Sequence, residues 1–307
     1  MQDPNPPARH NDSGFNPKWQ DQCNVSWGGQ VDTAGAGDGQ MESITEEIAI
    51  ERLRQNDDLS LRYYAAWWLG RMRSNHPEAV PLLVSALRQR GSPDPGTHGD
   101  HREVARNAAR ALGKLGDQAA IPELLIALED DDHGLREAAA RSLGSLRAVE
   151  AIVPLCRRLD SGLDGAGAAA HGSARLQEPC DAMVEALGAL GDSSTEVIAV
   201  IEPFTRHERA LIRSAAFRAL LELTAEPRWG RCLIDLLEHP QLNVRRAAMI
   251  DLGELGWSPA LKAISSAVVE NNFKLMALRG LLENGHRFSS STDEDQLNIL
   301  TAMDALL

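Results

Sequence analysis

A ten-residue phrase that returns seven times constrains this chain more than any other feature. It reads LRYYAAWWLG at 61–70, VARNAARALG at 104–113, LREAAARSLG at 135–144 and, more loosely, PCDAMVEALG at 179–188. IRSAAFRALL (212–221), VRRAAMIDLG (244–253) and FKLMALRGLL (273–282) follow. Successive copies end 43, 31, 44, 33, 32 and 29 residues apart, so the basic period is near 31 residues with two longer members. Self-similarity at that period marks stacked supersecondary units. Apolar residues recur in each copy at helical spacing. Before most copies sits a second apolar helix with proline in its first turn, as in Ile121-Pro122-Glu123-Leu124 and Ala79-Val80-Pro81-Leu82. A single helix pair cannot cover its own apolar face, and stacked neighbours must do so. Scarce aromatics, abundant Ala, Leu and Arg, and few β-branched runs of strand length agree with an all-α chain.

The expected fold is therefore a HEAT-like helical-repeat solenoid, a right-handed α-α superhelix of about seven helix pairs, over 43–307. Residues 1–42 are rich in Pro, Asn, Asp and Gly and too poor in apolar surface to order themselves, which predicts a flexible N-terminal tail. Trp19, Cys23 and Trp27 lie inside it, as incidental apolar residues or as a docking segment. Ser43-Ile44-Thr45-Glu46 has a capping-box pattern and predicts the start of the first helix. Acidic turns inside the pairs, such as Glu129-Asp130-Asp131-Asp132 and Asn56-Asp57-Asp58, supply caps for the following helix. They also face the arginine at the second position of the phrase (Arg62, Arg136, Arg213, Arg245), which reads as structural. The two long repeats carry their extra residues at this turn, over about 89–101 and 160–175. Equivalent turns line one edge of a solenoid, so both Gly-rich loops fall on one ridge, as a docking edge or as tolerated insertions.

A formal net charge of −13 opposes nucleic acid as a partner. No stretch approaches the roughly 20 apolar residues of a membrane span, and the start lacks the basic and apolar regions of a signal peptide. No membrane insertion and a cytoplasmic location are expected. Cys23, Cys156, Cys180 and Cys232 form no C-x-x-C pair and read as reduced structural thiols. His98, His101 and His171 sit in the insertion loops without the partner spacing of a metal site, so no metal is expected. No nucleophile elbow, phosphate loop, dinucleotide fingerprint or zincin helix occurs, and no catalytic residue is identified from motifs.

Placed on a helix, the phrase turns positions one, two, five, six and nine toward the stack and leaves three, four and seven facing away, along the inner wall of a HEAT-like stack. Position seven reads Trp67, Arg110, Arg141, Glu185, Arg218, Ile250 and Arg279, a mostly cationic ladder. The first repeat departs from its sisters. Its outward positions hold Tyr63, Tyr64 and Trp67, with Trp68 at the border, where the next two repeats carry Arg106, Asn107, Arg110 and Glu137, Ala138, Arg141. Clustered aromatics on a wet face mark a binding site, unless the N-terminal arm or the first helix folds over them as a cap.

At these residues the chain resembles a known family. Leu59-Ser60-Leu61-Arg62-Tyr63-Tyr64-Ala65-Ala66-Trp67-Trp68-Leu69-Gly70-Arg71 is the most specific block. With Arg106-Asn107-Ala108-Ala109-Arg110-Ala111-Leu112-Gly113-Lys114-Leu115-Gly116-Asp117 and Asn272-Phe273-Lys274-Leu275-Met276-Ala277-Leu278, it is similar to the E subunit of the E/F-type phycobilin lyases. The likeness spans about Ile44 to Leu282 and excludes the tail. It implies a cyanobacterial cytosolic or plastid stromal enzyme, working as a heterodimer with an F-type subunit. That enzyme would attach a linear tetrapyrrole, phycocyanobilin, to a cysteine of the apo-phycocyanin α subunit. The bilin would be its substrate, with no tightly bound cofactor. F-type lyase-isomerases carry an Asn-His-Cys motif, whereas Asn75-His76 is followed here by Pro77, which implies attachment without isomerisation. A flat conjugated ligand with two propionates wants aromatic walls and arginines, which Tyr63, Tyr64, Trp67, Trp68, Arg110 and Arg141 can supply. Two other classes fit the repeats as well: a non-catalytic HEAT scaffold, and a bilin-detaching or antenna-degradation factor.

Overall fold

The computed structural model describes residues 44–91, 101–288 and 292–307. The chain divides into Met1–Ile44 and Thr45–Leu307, and the second unit holds every described helix. These are α1 (Glu46–Arg54), α2 (Leu59–Arg71), α3 (Ala79–Arg88), α4 (His101–Leu115), α5 (Ile121–Leu128), α6 (His133–Ser145), α7 (Ile152–Leu159) and α8 (Cys180–Leu190). Then come α9 (Thr195–Ile201), α10 (Ala210–Thr224), α11 (Pro227–Asp235), α12 (Leu242–Leu255), α13 (Leu261–Ser266), α14 (Asn271–Asn284) and α15 (Asp293–Asp304). Among the described residues there is no β-strand beyond an isolated bridge between Ala169 and Leu176. Consecutive helices form the seven expected pairs, and α15 packs on α14 after the last of them.

Each phrase lies on the second helix of its pair, and those helices (α2, α4, α6, α8, α10, α12, α14) pack one on the next as a continuous layer. The closing glycine of the phrase explains how close they come. A Cβ added at Gly70 would stand 2.7 Å from Ala111 Cα, and one at Gly188 would stand 2.8 Å from Ala219 Cα. In both cases the partner is the small residue at position eight of the next copy. In the fifth copy the glycine is replaced by Leu221 and position eight of the sixth is Asp251. There α10 and α12 pack less closely than the other neighbours. The wider gap holds a polar network, in which Asp251, only 2% exposed, accepts from Ser214 Oγ at 3.0 Å and from Arg218 Nη1 at 2.8 Å.

The acidic turns cap as their sequences predict. Asp58 Oδ1 accepts from the amides of Ser60 and Leu61 at 2.8 and 3.0 Å, and Asp132 Oδ1 accepts from Leu135 N at 2.7 Å. The first helix is capped two residues later than expected, by Thr45, whose hydroxyl accepts from Ile48 N at 3.4 Å. Glu46 and Glu47 thereby fall in the first turn, where the helix dipole favours them.

The two insertions do lie inside their pairs. Most of the first, 92–100, falls outside the described residues. The second is not the flexible loop its glycines suggest. Ala166 and Leu176 are buried, Cys180 Sγ donates to Ala166 O, and His207 Nε2 meets Gly167 O at 3.0 Å. Arg136 Nη2 donates to Gln177 O at 2.8 Å from the preceding repeat. Backbone groups that a solvated loop would leave to water are here satisfied by side chains of both neighbouring repeats.

Candidate functional site

The aromatic block occupies α2, and its outer face is exposed: Tyr64 by 56% and Trp67 by 47%, with Tyr63 and Trp68 half-buried. The Tyr63 and Tyr64 rings meet edge to face, 5.4 Å between centroids. That exposure excludes α1 as a lid over the block, and the N-terminal arm lies outside the described residues. Leu61 and Met72 extend the apolar surface along the same helix and beyond its end. Ala65, Ala66, Leu69 and Gly70, on the opposite side, are buried against the stack.

The expected pattern needs correction at several places: Leu61 at position one is exposed, while Ser214 at position three and Ile250 at position seven are buried. Position four faces away only in the first repeat, where Tyr64 stands, whereas Asn107 is 5% exposed and Ala138 is buried. Those two helices have neighbours on both sides within the layer, so a broader arc of each is covered. Asn107 uses its burial to bind across the layer, donating through Nδ2 to Tyr63 O and accepting from Arg110 Nη1, both at 3.3 Å. The Arg110 guanidinium is thus held one helix away from the aromatic face and makes no ion pair among the described residues.

Arg141, one helix further on, is differently placed. Its Nη2 lies 2.8 Å from Asp181 Oδ2, its Nη1 2.5 Å from Glu185 Oε2 and its Nε 3.4 Å from Glu137 Oε1. Burial alone would lower its pKa, but the three carboxylates outweigh that and raise it. Burial pushes the Glu137 carboxyl up, with the Arg141 charge opposing. The position-seven ladder is therefore neutralised over much of its length, since Arg218 is likewise held by Asp251 and Glu254. The structure brings Tyr63, Tyr64, Trp67, Trp68 and Arg110 onto neighbouring helices, and leaves Arg141 bound within its own cluster.

The second-position arginines also divide. Arg136, Arg213 and Arg245 each donate through Nη1 to two successive carbonyls of the turn before their helix: Asp130 and Asp131, His207 and Glu208, His239 and Pro240, at 2.7–3.0 Å. They hold the backbone of the turn rather than its acidic side chains. Arg62 does not join them. Its turn is closed from within by Gln55, whose Nε2 donates to Arg52 O and Asp58 O while Oε1 accepts from Asp57 N and Asp58 N. Arg62 is 2% exposed and its Nε has no hydrogen-bond partner among the described residues.

The described cysteines are poor nucleophiles. Burial pushes Cys180 up to about 12, and burial also raises Cys156 and Cys232. Each is a thiol rather than a thiolate near neutral pH.

Comparison with known proteins places these features. A family model described as "PBS lyase HEAT-like repeat" matches residues 61–89 and 244–270, and one described as "HEAT repeats" matches 96–172. The chain is 48% identical to the bilin biosynthesis protein RpcE of Synechococcus sp. (strain WH8020), over 86% of this chain and 96% of that one. It is 44% identical to the phycocyanobilin lyase subunit alpha of Picosynechococcus sp. (strain ATCC 27264 / PCC 7002 / PR-6), over 87% and 97% respectively. Among solved structures, the complex of CpcE and CpcF of phycocyanin lyase from Nostoc sp. PCC7120 contains a similar chain. It superposes with a TM-score of 0.76 at 41% identity, covering 90% of this chain and 99% of that one.

Proposed function

The chain belongs to the family of phycocyanobilin lyase alpha subunits, built of HEAT-like repeats, and from that premise we propose that it holds phycocyanobilin against the exposed face of α2 for transfer to apo-phycocyanin α. It is a bilin lyase subunit and works as a heterodimer with an F-type subunit, as the likeness to one chain of the CpcE and CpcF complex supports. The observation that carries the bilin site is the aromatic face itself, present in one repeat of seven and exposed there. A flat π-system stacks on Trp67 and Tyr64, and Arg110, on the adjacent helix, meets a propionate by a charge-assisted hydrogen bond. Arg141 reaches a second carboxylate only by exchanging one of its three acidic partners.

The reaction adds a thiol across the ethylidene of the bilin's A ring. Sulfur bonds to the exocyclic carbon, the double bond becomes single, and the thiol proton ends on the ring system, with no oxidant or reductant needed. The raised pKa of the described cysteines supports an acceptor thiol on the antenna subunit rather than a bilin carried covalently here. Much of the acceleration then comes from holding an extended bilin beside that thiol. Pro77 after Asn75-His76 supports attachment without isomerisation. A cytosolic location follows from the same reading, and no described helix is long and apolar enough to cross a membrane.

The test is co-expression of this chain with an F subunit, apo-phycocyanin α and phycocyanobilin, read by zinc fluorescence of the denatured gel and by absorbance. A fluorescent α band that requires both subunits, with an unisomerised spectrum, is expected. Unlabelled α chain with both subunits folded indicates a scaffold. Pigment loss from a preloaded antenna indicates detachment.

A further inference from the structure

The first repeat departs from its sisters twice, once in its aromatic face and once in its second-position arginine, and the two departures share one helix. Arg62 stands on α2 directly before Tyr63. In the third repeat the equivalent Arg136 finds a partner for every guanidinium nitrogen: two turn carbonyls for Nη1, Gln177 O for Nη2, and Glu178 Oε2 at 2.8 Å from Nε. Glu178 directly precedes its copy of the phrase, and the residue at that place in the second repeat is Glu103. Glu103 pairs instead with Arg106, which also binds Asp132 through Nε at 2.7 Å. Arg62 is thus deprived of the turn by Gln55 and of the neighbouring carboxylate by Arg106. A buried guanidinium whose Nε lacks a partner is a strained resource, because its desolvation is not offset. Burial lowers its pKa, and no anion among the described residues pulls the other way.

We propose that Arg62 is the carboxylate anchor of the site, binding one bilin propionate while the tetrapyrrole lies on Tyr64 and Trp67. This rests on the placement of the bilin proposed above. Binding requires the guanidinium to swing out from the stack-facing side of α2 beside Tyr63, a change of rotamer that the flexible stem of an arginine permits, and its planar fork matches a carboxylate. Release of the buried, unpaired guanidinium adds to the gain on binding. Arg62 then distinguishes a bilin with free propionates from one without them, a discrimination the aromatic face does not make.

The experiment uses the heterodimer with its F subunit, titrated by absorbance with phycocyanobilin and, separately, with its dimethyl ester. The native heterodimer should bind the diacid about tenfold or more tighter than the diester, with Arg62 and Arg110 each supplying a charge-assisted pair. Arg62→Gln should cut that preference several-fold by weakening the diacid alone, leaving the part that Arg110 supplies, and Arg62→Lys should recover part of the difference. Unchanged binding of the diester serves as the control for folding, and Arg62→Lys carries the test should Arg62→Gln misfold. Retention of the native diacid preference in Arg62→Gln overturns the proposal, as does equal weakening of both ligands by Arg62→Lys. A native preference kept while the F subunit no longer co-purifies assigns Arg62 to a carboxylate on that subunit, which also overturns it. Trp67→Ala separates the two levels. It should weaken diacid and diester alike, and if it weakens neither, the bilin lies elsewhere and the placement on α2 fails first.

Discussion

Two side chains one helix apart show how differently a charge can be used in this stack. Arg110 has a single hydrogen-bond partner, the neutral Asn107, and acts on Glu137 only through space, whereas Arg141 is paired with three carboxylates. Arg110→Ala should therefore weaken bilin binding with little loss of stability, and the defect should shrink as salt rises, because native binding at a partly wet surface is itself screened. Arg141→Ala should instead destabilise the protein, leaving Glu137, Asp181 and Glu185 in mutual repulsion, and chemical denaturation separates the two outcomes. Asp132 gives a pH signature. Burial pushes its carboxyl up, but Arg106 and the Leu135 amide outweigh that and hold it below the usual carboxylate range. Stability from Asp132 is thus present above the ordinary aspartate pKa and lost as pH falls through the lower folded value. Asp132→Ala should cost about 1–2 kcal/mol at neutral pH, the upper range for a helix cap, and less in strong acid; urea titrations at both pH values measure it. The aromatic block is legible in the sequence because a repeat makes a register, and a departure from the register is visible. Arg62 is not, since it shares its letter and position with Arg136, and only the geometry of Gln55 and Arg106 separates them.

At the scale of helices and loops, the repeat explains the seven pairs and their order, while the spacing between neighbours depends on one residue per copy. Gly188 lets α10 come against α8, so Gly188→Leu should force the layer apart and lower the unfolding temperature. Leu221 already holds α10 and α12 apart, and the gap is filled by Ser214, Arg218 and Asp251. Asp251→Ala should cost about 3–5 kcal/mol, because Arg218 is left with a single described carboxylate in a largely buried place; thermal and urea unfolding give the value. The network escaped the sequence pattern because an aspartate at position eight reads as a solvated charge until its neighbours are known. The 160–175 insertion misled in the opposite sense. Its glycines suggest mobility, yet His207 and Cys180 bind its backbone and Arg136 binds that of Gln177 just after it. Shortening it to the length of the 129–134 turn should therefore lower stability as well as any docking at that ridge, and helicity with co-purification of the F subunit reports the two separately.

For the molecule as a whole, the stack is a support that repeats and a site that does not. Six copies of the phrase spend their outward positions mainly on charge and small side chains, and one presents two tyrosines and two tryptophans. The measurement that bears most directly on this is covalent bilin per folded heterodimer in the co-expression system, compared between the native chain and Trp67→Ala by zinc fluorescence of the α subunit. Loss of one stacking partner removes on the order of 1 kcal/mol or more, so transfer from limiting bilin should fall at least several-fold while the unfolding temperature and co-purification with the F subunit stay near native. Native transfer per folded molecule, together with a loss of stability typical of a core truncation, would contradict the account and make the aromatic block a packing surface.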